Sequence, residues 1–350
     1  MEKAAYLPRA LLSCVCTIYA TIQLIFNRLV EKWRTKSSDG KVTTTITPVS
    51  VPEVKVTLFT KLIFEEGGFA KNYCDPLELA QLPRVMLGEG SLGTLFKLIL
   101  NCGYIVTARV IREMLVKPDD FELWINFFGG IRNTLLLPMH LSFWYAGEAF
   151  IVYEYLCLGS LEELLHGSEG IQYTPLSWEV RKHIALCAAM AIHFIHNQVT
   201  EGGSILVCGV VKASNILIRT DCSACLSGYE MPYLVPLTTI IRRNPGRVAP
   251  ELISTEIYPK KFTAESDVYS FGILLLELIT AKRPTTTNLG EYVTEKRKRE
   301  GLIDICDPKL GEVNESMMEM IGIAESCLSH RPKDRPSMDR VVHTLQGMKD

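Results

Sequence analysis

The feature that most constrains this chain is the run Gly88-Glu89-Gly90-Ser91-Leu92-Gly93, taken together with the residues just after it. Glycines at this spacing occur in dinucleotide-binding folds, but there they follow a strand and open a helix. Here the next residues are Thr94-Leu95-Phe96-Lys97-Leu98, a strand-like run. The pattern predicts a β-hairpin with a glycine turn, whose backbone N–H groups can close over phosphates.

With 350 residues, 47% of them hydrophobic, the chain can bury a sizeable core. Its 37 basic and 39 acidic residues leave a formal net charge of -2, which gives no global electrostatic reason for a nucleic-acid partner. The 11 cysteines are scattered, without the compact spacing of a secreted disulfide scaffold, and fit reduced thiols in the cytosol. Cys222-Ser-Ala-Cys225 is the one CxxC pair; with no second pair and no nearby histidine it reads as two small packing residues in a hairpin.

From Ala10 to Phe26 the chain is uncharged and apolar, at the lower limit of what spans a bilayer as a helix. Arg28, Lys32, Arg34 and Lys36 outnumber Lys3 and Arg9, so an anchor here would leave everything after it in the cytosol. A cleaved signal peptide ending near Ile18-Tyr19-Ala20 is the main competing reading, and a soluble hydrophobic N-terminus the third. The expected organisation is an N-terminal segment 1–34 with its anchor at about 10–26, a Ser/Thr/Pro-rich juxtamembrane linker 35–59, and a folded domain 60–350.

Within that domain, Val85 to Leu100, Tyr104 to Ile111 and Phe150 to Leu156 read as strands, with a helical segment around Asp119 to Phe128 between them. Trp178 to His196, Asp267 to Thr280 and Met317 to Cys327 carry helical periodicity. The expected fold class is α+β, two-lobed: a strand-rich lobe over about 60–156 and a helix-rich lobe over about 157–350.

Further motifs fall in a fixed order: Ile151-Val152-Tyr153-Glu154-Tyr155, Gly159-Ser160-Leu161, Val248-Ala249-Pro250-Glu251, Ser266-Asp267-Val268-Tyr269-Ser270-Phe271-Gly272 and Arg331-Pro332-Lys333-Asp334-Arg335-Pro336. With the glycine run they make residues 60–347 resemble the protein kinases, specifically plant receptor-like kinases with leucine-rich-repeat ectodomains. The resemblance implies a protein-kinase fold. It further implies that Glu251 and Arg335 form a buried ion pair, and that Asp267 fixes the backbone of the catalytic loop.

The same resemblance places the wrong chemistry at the catalytic positions. Arg109 falls on the strand lysine that should hold ATP phosphates, and Trp124 on the helix glutamate that should pair with it. In Cys208-Gly209-Val210-Val211-Lys212-Ala213-Ser214-Asn215, Lys212 and Asn215 are retained while Val210 falls on the catalytic base. Gly228 falls on the magnesium-binding aspartate, and Glu230, two positions on, would need a different loop path to replace it. Gly88, Gly90, Gly93, Ala108 and Arg109 would form a weak nucleotide cleft, so the expectation is no resident metal or cofactor and at most weak, metal-independent ATP binding.

The resemblance then implies a catalytically degenerate member. It would be a single-pass protein of the plasma membrane with its domain in the cytosol, acting as an adaptor or allosteric partner of other receptor-like kinases or signalling proteins. The alternative is a divergent but active Ser/Thr kinase that binds ATP and uses Arg109, Asn215 and Glu230. Thr238 and Thr239, near Arg242, Arg243 and Arg247, are candidate acceptors for phosphorylation by a partner.

Overall fold

A computed structural model describes residues 56–58, 82, 84–90, 93–100, 103–112, 114–145, 147–167, 176–200, 202–254, 260–299 and 305–348. The expected anchor at 10–26 and most of the expected linker lie outside these residues. Among the described residues no helix is long and apolar enough to cross a membrane.

The strand-rich lobe is one antiparallel sheet of six strands: β1 (Val56–Leu58), β2 (Arg84–Gly90), β3 (Gly93–Ile99), β4 (Ile105–Ile111), β5 (Met139–Tyr145) and β6 (Glu148–Glu154). Their spatial order is β1-β5-β6-β4-β3-β2. Strands β2 and β3 form the hairpin expected from the glycine run, with Gly90 opposite Gly93. Strand β1 lies within the stretch expected as linker, yet Val56 pairs with Phe143 and Leu58 with Leu141, so the sheet begins before residue 60.

Because side chains alternate along a strand, the sheet has two different faces. Val106, Ala108, Val110, Phe143, Phe150 and Val152 make a core on one face. Ile111, Met139, Ile151 and Tyr153 face the other way and join the main core. Helix α1 (Pro118–Gly130) covers that inner face with Phe121, Ile125 and Phe128, the apolar stripe of a helical period. Pro118, Asp119 and Asp120 occupy its first turn, where a missing N–H costs nothing and negative charge suits the helix dipole.

The helical lobe comprises α2 (Leu161–His166), α3 (Trp178–His196), the hairpin β7 (Ile216–Ile218) and β8 (Ala224–Leu226), α4 (Met231–Leu234), α5 (Leu237–Arg242), α6 (Pro250–Ile253), α7 (Ala264–Thr280), α8 (Leu289–Arg299), α9 (Glu315–Cys327) and α10 (Met338–Gly347). Ser160 and Glu163 form a capping box at the start of α2, and Thr263 and Ser266 one at the start of α7. Helix α7 is buried on nearly every side, with Val268, Phe271, Leu274, Leu275 and Leu278 at its core; α3, α8 and α9 pack against it, and α10 packs on α3.

Ion pairs brace this lobe. Arg335 makes a two-pronged contact with Glu251 at 2.7 and 2.8 Å, Arg181 meets Asp307 at 2.5 Å, and Arg247 reaches Glu277 at 3.3 Å. The described cysteines are all free. Cys225 is buried as expected, but Cys222 sits exposed at the hairpin turn with φ +65°, so only one of the CxxC pair packs.

Candidate functional site

The site lies where the inner face of the sheet meets the loops on either side of the β7–β8 hairpin. Gly93 closes the β2–β3 turn at φ +98°, and a Cβ there would stand 2.3 Å from the Val110 carbonyl oxygen, so only glycine lets β4 approach this closely. Ala108, expected in the cleft, points instead into the core on the outer face. Strand alternation puts Thr107, not Ala108, on the same side as Arg109. Counting by two from Arg109 would have found it.

Arg109 is buried, with its guanidinium 5.9 Å from the centre of the Tyr153 ring. Trp124, the residue on the expected glutamate position, does not face a charge. Its ring lies 4.7 Å from that of Tyr233, stacks on Phe128 at 5.9 Å and meets Phe127 edge-on at 6.3 Å. Such ring pairs contribute about 0.5–1.5 kcal/mol each beyond their buried area. An aromatic contact therefore joins α1 to the segment after β8, where the family pattern would place an ion pair to β4.

Val210, Lys212, Asn215 and Gly228 converge on one small cavity, shared with Cys208, Met231, Pro232, Ile240 and Asn244. It measures about 10 Å³, room for roughly one water molecule. None of these lining residues carries a carboxylate. Lys212 Nζ donates to Asn244 Oδ1 at 2.9 Å, and burial, followed by the charges of Arg109 and Arg247, brings its pKa down to about 8.

Glu230 is near this cavity in sequence but turns away from it. Its carboxyl is fully buried and accepts a hydrogen bond from the Tyr153 hydroxyl. Burial raises its pKa, against the pull of Arg109 and the Tyr153 bond. The Arg109 charge thus acts on Glu230, which belongs to the loop after β8 and not to α1.

The loop before the hairpin is held from beneath. Asp267 accepts from the Cys208 N–H at 2.6 Å through Oδ2 and from the Gly209 N–H at 2.9 Å through Oδ1, while His196 Nε2 lies 2.9 Å from Oδ2. His196, Cys208 and Asp267 bring one possible metal-ligand atom each within 4.8 Å of one another. Both Asp267 oxygens are engaged by backbone, however, and burial followed by the Asp267 charge pushes the Cys208 thiol well up, away from the thiolate a metal needs. The trio is a brace for the loop.

The segment carrying Thr238 and Thr239 is helix α5. Thr238 is exposed, but Thr239 is buried, and Arg247 is tied to Glu277, so neither Thr239 nor Arg247 is placed to serve a surface phosphate.

A family model described as protein tyrosine and serine/threonine kinase matches residues 85–345. A probable inactive receptor kinase of Arabidopsis thaliana is 33% identical over 300 residues, covering 82% of this chain and 46% of that protein. Several other relatives in the same plant carry the same description. The chain spans less than half the length of these relatives. Among solved structures, the maize kinase domain of sucrose-induced receptor kinase SIRK1, bound to AMP-PNP, superposes with a TM-score of 0.72 at 24% identity, covering 85% of this chain and all of that one. The pseudokinase domain of BIR2, an immune regulator of the RLK/Pelle family, gives a TM-score of 0.62 at 25% identity over 75% of this chain and 80% of its own. The hairpin over a cleft, the helical lobe built on α7 and the match across 85–345 agree, and this chain belongs to the protein tyrosine and serine/threonine kinase family.

Proposed function

We propose that this chain is a signalling pseudokinase: a kinase fold that works by binding, as an adaptor or allosteric partner of active receptor-like kinases, and is tethered to the plasma membrane by its N-terminal segment. The observation that carries this is the acid-free cavity formed by Val210, Lys212, Asn215 and Gly228. Phosphoryl transfer to a hydroxyl relies on a proton acceptor beside the nucleophile and on a metal ion that neutralises charge on the phosphoryl oxygens. Val210 cannot accept a proton. Gly228 offers no metal ligand, and Glu230 is engaged with Tyr153.

The names of the Arabidopsis relatives and of the BIR2 domain support inactivity, and the description of those relatives as receptor kinases supports the tether. A thermal-shift titration with ATP, with and without Mg²⁺ or Mn²⁺, combined with an autophosphorylation assay, tests the reading. The expected result is no metal-dependent stabilisation and no phosphate incorporation. Incorporation that requires metal and is abolished by Asn215→Ala would establish the active-kinase alternative. Affinity capture from membranes should recover other receptor-like kinases with the intact chain, and fewer of them with a version lacking residues 1–34.

A further inference from the structure

The residues on the divergent positions do more than lack chemistry, because they converge on one short segment. Helix α4, with Tyr229 and Glu230 just ahead of it, is gripped from three sides. From the sheet, the Tyr153 hydroxyl donates to Glu230, and Arg109 lies against the same ring. From α1 and the loop before it, Trp124 lies on Tyr233 at 4.7 Å, Phe128 meets both Tyr229 and Tyr233, and the Leu115 N–H donates to the Leu234 carbonyl at 2.7 Å. From the loop below, the Val207 N–H donates to the Tyr233 hydroxyl at 2.9 Å. Gly209 lets Pro232 sit so close that a Cβ at 209 would stand 2.5 Å from the proline Cγ.

We infer that residues 229–234 form a built-in plug that fastens the two lobes to each other, held by Tyr153 of the sheet at Glu230 and by Trp124 and Phe128 of α1 at Tyr233. This deepens the pseudokinase reading, on which its functional meaning rests: the chain presents one fixed lobe arrangement to its partners. Kinase regulation ordinarily depends on this region having two arrangements, and a switch needs an element that both states can occupy. Here three elements specify one arrangement. One of the residues responsible, Trp124, is the one whose identity removes the usual ion pair.

Native-state hydrogen exchange on the full chain tests this through the amides of Tyr233 and Val235, which donate to the Glu230 and Met231 carbonyls. In the unaltered protein they should exchange at least about a hundredfold slower than exposed amides, and ATP should not change that rate. Tyr153→Phe, on the opposite lobe, removes the hydroxyl that holds Glu230 and should speed both by about tenfold or more while leaving the amides of α7 unchanged. Tyr233→Phe keeps the ring and removes only the hydroxyl, so it should fold and should speed exchange at the Val207 amide selectively.

Rapid exchange at Tyr233 and Val235 in the unaltered protein would overturn the plug. So would unchanged protection in both Tyr153→Phe and Trp124→Ala. An autophosphorylation assay on the same samples separates the two ideas, because phosphate incorporation with protection intact refutes inactivity and leaves the fastening in place.

Discussion

Replacing Arg335 by methionine should cost this fold more than any surface change could. The Arg335 guanidinium is fully buried and grips Glu251, which is only 16% exposed, at 2.7 and 2.8 Å. It also donates to the carbonyls of Ser329 and Glu265, both at 2.9 Å, and stacks 5.0 Å from the Tyr269 ring centre. Methionine fills much of the volume but strands a carboxylate and two carbonyls.

Removing one partner of a buried pair costs about 3–5 kcal/mol. At about 2–4 °C per kcal/mol for a domain of this size, the midpoint should fall by roughly 6–20 °C. Urea unfolding with an unchanged m-value measures the loss directly. Replacing both partners, Arg335→Met with Glu251→Leu, removes the stranded charge and should recover about 1–3 kcal/mol relative to the sum of the single changes. A single-substitution loss under about 1 kcal/mol, or strict additivity in the double variant, would show that the pair does not hold this lobe.

Trp124→Glu, which introduces the glutamate expected at this position, should lower stability by about 1–3 kcal/mol in urea unfolding, since it removes the ring contacts with Tyr233 and Phe128; an unchanged midpoint would refute that role. Lys212 titrates in the fold near 8, below its ordinary 10.5, so its contribution is complete above the ordinary value and is lost as pH falls through about 8. Between pH 7 and 9 the unaltered protein should therefore gain about 1 kcal/mol relative to Lys212→Met, and a pH-independent gap would contradict the burial of the amine. Gly93→Ala forces both a left-handed φ and a contact of 2.3 Å with the Val110 carbonyl oxygen, so a loss of about 2 kcal/mol or more is expected by thermal unfolding, and a neutral effect would mean the hairpin relaxes freely.

The elements legible in the sequence are those whose pattern is local. Helix α3 has the bounds its periodicity predicts, Trp178 to His196, and the strand-like residues after Gly93 make a hairpin. Strand β5 was not legible, because Leu135-Leu136-Leu137-Pro138 before it blurs any alternation. Nor was α4, whose four residues are too few for a helical period to register. The cavity residues Val210, Lys212, Asn215 and Gly228 could be named from motif spacing and do meet in space. What spacing does not encode is direction. Glu230 turns to Tyr153 because its loop runs beneath the sheet, and Ala108 faces outward because strand phase, not proximity to Arg109, decides its side.

The contact between Gly209 and Pro232 ties the backbone at 209 to the position of α4. Any residue larger than glycine at 209 would collide with the proline ring unless α4 moved as well, and would also have to adopt a left-handed φ of +87°. A side chain at 209 and a displaced α4 would therefore have to arrive together, which makes position 209 a lock on where α4 sits.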